Sequence, residues 1–330
     1  MSLKEYDIKN NEISEWIPYL GLMTPRIIQN KDDSLISIIE YDDSSLMNKD
    51  NLNKFLKQLP LGISFYFEKS TLSPITTCYI IWNPAYDLKN NKLSNSLIKE
   101  TNNDHFYIFD KFLDEFFSKM NKSFQNVNIL SKQDVLNRLY RILTYEKSIA
   151  MPDATLYLDC YLTQDFSYKK YKHMLKIGEY YTNCIRLLGY PNFFVKDILS
   201  YIKNMNLNYR YSRRITVLDN QTKIQTQENY FKNWCSSHRS FLSVFCTKES
   251  AFYIENIIVL YDRNKDFLNE QILQLDKYIN NKGIATISEN YNIGDTWFST
   301  IPGMFRSGYC HSLVSCKNIS YNIEVYICIT

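Results

Sequence analysis

Short apolar runs and amphipathic stretches alternate along the whole chain. SLISIIEY, GISFYFEK and ITTCYIIW are rich in β-branched and aromatic residues and bounded by polar turns, so they read as strands. Between the first two, NLNKFLKQL sets Leu52, Phe55, Leu56 and Leu59 on one helical face. NPAYDLKNNKLSNS, after Trp82, carries Asn and Pro in the manner of a loop. FDKFLDEFFSKM then returns to helical spacing, with Phe109, Phe112, Leu113, Phe116, Phe117 and Met120 in a wide stripe. A second helix is expected from Ser131, whose side chain caps free amides while Asp134 suits the positive first turn. Val135, Leu136, Leu139, Ile142 and Leu143 supply its buried face.

The second half opens with ATLYLDCYL, read as a strand, and with KHMLKIG and YYTNCIRLL as a further strand pair. PNFFVKDILSYIKNM is helical after Pro191. In YRYSRRITVLD the alternate residues Tyr209, Tyr211, Arg213, Ile215 and Val217 share one strand face. NQTKIQTQENYFKNW puts Ile224, Phe231 and Trp234 at helical spacing. The last unit is the strand AFYIENIIVLYD, a helix with Leu268, Ile272, Leu275 and Ile279 in register and Gly283 past its end, then the strand ATISEN. The pattern predicts an α+β plait: two lobes of strand-helix-strand units with antiparallel or mixed sheets covered by helices on one face. The expected division is near residue 148, giving lobes 1–148 and 149–330.

Composition agrees with a folded chain, since 45% of its 330 residues are hydrophobic and 15% aromatic, enough for a sizeable core. Charge excludes little: 38 Lys and Arg against 35 Asp and Glu leave +3, too small to advertise a polyanionic partner. The N-terminal MSLKEYDIKNNEISEW lacks the apolar core of a secretory signal, which predicts a cytosolic start. No window reaches the ~20 apolar residues that span a bilayer, so any membrane association runs through a partner. The eight cysteines form no C-x-x-C pair and read as buried reduced thiols.

Candidate chemistry is sparse. A phosphate-binding loop needs a Lys after its last glycine, and none of the eight glycines precedes a Lys. Neither G-x-x-x-x-G-K-[ST] nor G-x-G-x-x-G occurs, so no catalytic, cofactor or metal residue is assigned. Cys310 beside His311, or Cys235 with His238, has the chemistry of a thiolate or metal site. Adjacent strand residues, however, point to opposite faces, and the four histidines are widely dispersed. Arg210, Arg213 and Arg214 interleaved with Tyr209 and Tyr211 would suit single-stranded nucleic acid; the plainer alternative is a strand with one buried aromatic face and solvated arginines on the other. Asp32, Asp33, Asp42 and Asp43 read as turn residues, and Asp159 as a buried mid-strand anchor.

Several stretches in order resemble the N-terminal domain of the TrbE/CagE conjugal-transfer ATPases of type IV secretion systems. ISEWIPYLGLMTPRIIQNKDDSLISIIEY is similar to the family's opening, with Trp16, Lys31 and Asp32 in the matching places. MPDATLYLDCYL resembles its proline-led strand ending in Leu158 and Asp159. LNYRYSRRITVLD with the helix to Trp234 is similar to its central block at Tyr209, Arg210, Ser212, Arg214 and Asp219. NIGDTWFSTIPGMFRSGYCHSLVSCKNISYN resembles the closing turn, with Trp297, Pro302 and Gly303, and with Asn318 fifteen positions after that glycine. Two departures stand out: Cys310 and His311 replace arginines of the closing segment, and the link from Trp234 to Ala251 is short.

The resemblance implies a docking module that anchors a transfer ATPase to inner-membrane channel components, peripheral to the bacterial inner membrane. ATP and Mg²⁺ would enter only through an ATPase domain lying downstream of Asn318, and self-association would accompany that larger protein. These residues are then expected to be no enzyme themselves, and the ending NIEVYICIT to mark a truncation before the ATPase domain. Contact with the transferred nucleic acid strand, or a non-functional truncated product, are the alternatives.

Overall fold

The computed structural model describes residues 6–7, 10–42, 63–83, 103–123, 125–146, 148–150, 157–164, 166–188, 195–217, 251–304 and 312–315. In chain order the first half holds β1 (Tyr6–Asp7), α1 (Asn10–Trp16), β2 (Tyr19–Leu22), β3 (Ile28–Asn30), β4 (Leu35–Asp42), β5 (Ile63–Ser70), β6 (Ser73–Trp82), α2 (Asn103–Ser123), β7 (Gln125–Ile129) and α3 (Lys132–Thr144). The second holds α4 (Leu158–Leu162), β8 (Tyr168–Lys170), β9 (Leu175–Ile177), β10 (Tyr180–Leu188), α5 (Val195–Asn204), β11 (Asn208–Val217), β12 (Ala251–Asp262), α6 (Lys265–Asn281), β13 (Ala285–Ser288), α7 (Ile293–Ser299) and β14 (Ser312–Ser315).

The α+β expectation holds, and the sheet shows how the two halves relate. Across its middle the strands run β7-β4-β6-β5-β11-β12-β10-β13, every neighbour antiparallel. If each half is numbered by its own chain order, the series is 4-1-3-2 followed by 2-3-1-4. Each half is thus a β-α-β-β-α-β plait, and the two meet through their second strands. That junction is long, with seven paired positions from Arg210↔Ser70 to Thr216↔Ser64. Residue 148 therefore falls between segments whose strands share one sheet. The helix expected over residues 51–59 and that over 220–234 lie outside the described residues.

Strand alternation sorts the side chains onto two faces. On one face α2, α5 and α6 bury two apolar clusters. The first unit stacks Trp82 on Phe109 and Phe65 on Phe116, with ring centroids 5.8 Å apart in both pairs. The second packs Ile185, Ile258 and Leu260 against Leu268, Leu275 and Ile279 of α6. The opposite face, covered by α1, α3, α4 and α7, forms a single cluster running through both units. Helices thus lie on both faces, where the sequence predicted one.

Local chemistry explains most helix ends. Ser131 Oγ accepts from the Asp134 amide and caps α3, as its position predicted. Asn264 does the same for α6 through the amides of Asp266 and Phe267, and Gly283, at φ 74°, takes the left-handed conformation just past the helix. One element differs from expectation: within ATLYLDCYL, Leu158–Leu162 is a short helix. Leu158 and Leu162, four apart, are both buried against the lower cluster, so the run satisfies a helical spacing better than the strand read from its apolar content.

Candidate functional site

The lower face carries the resemblance residues, and α7 lies at their centre. Trp297 is fully buried and donates from Nε1 to Tyr145 Oη at 2.9 Å. Tyr145 ends α3 with φ 62°, and Thr182 Oγ1 on β10 donates to the same hydroxyl at 3.2 Å. Its ring lies 4.0 Å from that of Tyr261 and parallel to it within 6°. Burial pushes the Tyr145 phenol far up, so it remains a neutral hydroxyl. Trp16 meets Phe298 edge-on at 5.2 Å, which ties α1 to the same helix.

Two glycines let this segment approach closely. A Cβ at Gly294 would stand 2.6 Å from Tyr168 Oη. At Gly303, where φ is 88°, it would stand 2.6 Å from Asn30 Nδ2 and 2.9 Å from Ile36 Cδ1. Only glycine fits the Pro302-Gly303 turn against β3 and β4.

Two arginines fasten α7 from the sheet side. Arg186 on β10 donates from Nε to Glu289 Oε1 at 3.0 Å and from Nη2 to Thr296 Oγ1 at 2.9 Å, and its Nη1 pairs with Glu255 of β12. Arg210 on β11 donates to Thr300 Oγ1 at 2.6 Å and to the Thr300 carbonyl at 3.1 Å, and pairs with Glu68 Oε2 at 3.4 Å across the β5–β11 junction. Farther along, Arg138 of α3 pairs with Glu40 of β4 and donates to Ser73 Oγ at 2.9 Å. Arg214 sits 5.5 Å over the Tyr66 ring. Burial raises the Glu68 carboxyl above its ordinary value, opposed chiefly by Arg210, and raises that of Glu255, opposed chiefly by Arg186. Burial, with Arg141 nearby, lowers Arg138 to about 10.

These arginines correct the solvated reading of YRYSRRITVLD. Arg210 and Arg213 are 3% and 2% exposed, because both faces of β11 are covered. Arg213 faces the upper clusters, where its Nε and the Tyr211 hydroxyl both donate to Asn256 Oδ1 at 2.8 Å. Tyr209 and Tyr211 are buried too, so this stretch presents no stacking surface.

Lys31 and Asp159, separated by 128 positions, form an ion pair at 2.6 Å, and Lys31 also donates to the Ser14 carbonyl at 2.7 Å. Asp159 is the buried anchor its setting suggested, held on a helix instead of a strand. Asp32 accepts from the amide and hydroxyl of Ser34, and Asp33 takes φ 62°, as turn residues do. Trp16, Asp159, Tyr209, Arg210, Arg214, Trp297, Pro302 and Gly303 thus occupy one connected region, with Tyr209 turned to the other face. Asp219, Trp234 and Asn318, and the pairs Cys235–His238 and Cys310–His311, lie outside the described residues.

Nothing in this arrangement presents a reactive group. The Cys78 and Cys184 thiols are buried and pushed up, Cys184 to about 12, so they stay protonated. Cys160 is exposed, against the expectation of buried thiols. Among the described residues no group of three or more His, Cys, Asp or Glu is placed to hold a metal ion, and no helix is long and apolar enough to cross a membrane. Sequence reasoning missed Arg186, Glu255, Glu68, Glu40, Arg138 and Tyr145. The signal was present for most of them: a charged residue inside an apolar strand run, as in NCIRLL and YIENIIV.

No protein-family model matches the chain. It is similar to a probable conjugal transfer protein TrbE of Sinorhizobium fredii (strain NBRC 101917 / NGR234), at 22% identity over 201 residues. The similar stretch covers 52% of this chain and 30% of that relative's length. This supports a relationship to the TrbE family.

Proposed function

We propose that the chain is a docking module of a conjugal-transfer, type IV secretion assembly, a platform that holds a transfer ATPase against inner-membrane channel components. The observation that carries this reading is the fastening of α7. Trp297, Thr296 and Thr300 are each hydrogen-bonded to a buried side chain of another element, and Gly303 packs into β3 and β4. A catalytic centre keeps polar groups facing a substrate, whereas here the buried arginines and carboxylates engage one another and the α7 segment. The similarity to a conjugal transfer protein supplies the biological setting. Nucleotide chemistry would belong to a separate ATPase domain, since no glycine here is followed by Lys.

The module would sit on the cytoplasmic side of the inner membrane, its partners being the channel subunits and neighbouring copies of the ATPase. A capture experiment tests this. The chain, immobilised at micromolar concentration, is expected to retain inner-membrane channel subunits of its own transfer system, and no retention counts against docking. Nucleotide turnover by the purified chain, abolished by a point change within it, overturns the platform reading.

A further inference from the structure

One corner of the sheet concentrates positive charge that the α7 region does not use. The β8–β9 hairpin, YKKYKHMLKI, carries Lys169, Lys170, Lys172, His173 and Lys176, and the turn from β12 into α6 brings Arg263 and Lys265 beside it. Against these six permanent cations stand Glu179, Asp262 and Asp266, a local surplus as large as that of the whole chain. Glu179 pairs with Arg263 at 3.1 Å, and Asp262 accepts from the Asn264 amide at 2.7 Å. Lys172, His173, Arg263 and Lys265 are exposed.

Tyrosines space the cations. Lys176 lies 5.3 Å over the Tyr181 ring, Arg263 5.3 Å over Tyr180 and Lys265 5.9 Å over Tyr171. Tyr171 and Tyr181 stand 6.4 Å apart and half-buried. Register reinforces the clustering, because Lys169 faces Lys176 directly across the hairpin and Lys176 faces Tyr181. Like charges opposite each other in a ladder weaken it, and a bound anion relieves that repulsion.

We propose that this corner is a contact surface for an anionic lipid bilayer. The shape decides between bilayer and nucleic acid. The cations sit on a hairpin tip and a helix start, and the three rings already carry the chain's own cations on a face. Strand binding relies on a basic groove with open stacking faces, whereas a convex cluster of lysines and tyrosines meets a plane of phosphates. Met174 and Leu175 of the hairpin are buried, so the contact is electrostatic and lies at the headgroups. The inference goes beyond the docking reading and does not rest on it.

Co-sedimentation with phosphatidylglycerol–phosphatidylcholine vesicles, against pure phosphatidylcholine and against a single-stranded oligonucleotide, tests the surface. Binding to the acidic vesicles is expected, falling steeply as salt shortens the Debye length. Each removed lysine charge should weaken it about fivefold, so Lys172→Gln/Lys176→Gln/Lys265→Gln loses about a hundredfold while its melting temperature holds. Lys203→Gln, far from the corner on α5, serves as the folded control and should bind as the parent does. Equal binding to neutral vesicles, an unchanged triple variant, or lysine-dependent binding of the oligonucleotide alone overturns the proposal. Because no protein partner is present, failure here leaves the capture experiment untouched, and the reverse also holds.

Discussion

The two faces of the sheet are built on different principles. The upper face holds each plait by itself, with a phenylalanine stack under α2 in the first unit and an aliphatic layer under α5 and α6 in the second. The lower face is a continuous layer through both units, threaded by Arg186, Arg210 and Arg138 and their carboxylate partners. Dry packing gives stability wherever area is buried and is tolerant of detail. Buried ion pairs add little net stability, but every misplacement leaves an uncompensated charge, so they fix position. The difference teaches that the upper face makes the units, while the lower face sets how they and α7 are placed.

The sharpest way to break this comparison is Arg186→Met. It leaves Glu255 and Glu289 buried without their cation, and urea unfolding should show a loss of about 3–5 kcal/mol. Replacing both carboxylates by apolar residues in the same background should recover most of that loss. If it does not, the lower face works by packing alone. On the upper face Leu275→Ala, at a fully buried site, should cost about 2–5 kcal/mol, and no charge change elsewhere should rescue it.

Gly303→Ala combines a left-handed backbone with a clash at Asn30 and Ile36, and should cost about 1–3 kcal/mol. The accompanying loss of near-ultraviolet signal from Trp297 should exceed that in Leu275→Ala if the turn positions α7.

The smallest effect is a pH slope. Burial holds the Glu68 carboxyl above its unfolded value of 4.5, so the folded chain binds more protons than the unfolded chain in the window above 4.5. This contribution is therefore complete below that value and is lost as pH rises through the folded one. Glu68→Gln should flatten the slope of unfolding free energy in that window, read from urea midpoints at a series of pH values. An unchanged slope would show that Arg210 offsets the cost of burial.

Periodicity revealed the features that depend on one segment alone. The stripes of α2, α3 and α6, the Ser131 cap and the alternation of Tyr209, Tyr211, Ile215 and Val217 all follow from local spacing. It gave the wrong element at Leu158–Leu162, because so short an apolar run fits either period and the packing beneath decided. The burial of Arg210 and Arg213 was illegible for a different reason. An arginine on a strand reads as solvated until its carboxylate is known, and Glu68 lies 142 positions away. The same holds for Lys31 with Asp159, where each residue stood out singly and only folding paired them.

The palindromic strand order also governs what happens when the chain is divided. Each plait hands its second strand to the other, so a cut near residue 148 would strip both pieces along the same seven-position seam and leave two bare rows of amides and carbonyls facing water. Such fragments should find each other or themselves, and a mixture of the halves should reassemble into one sheet more readily than either half stays solitary.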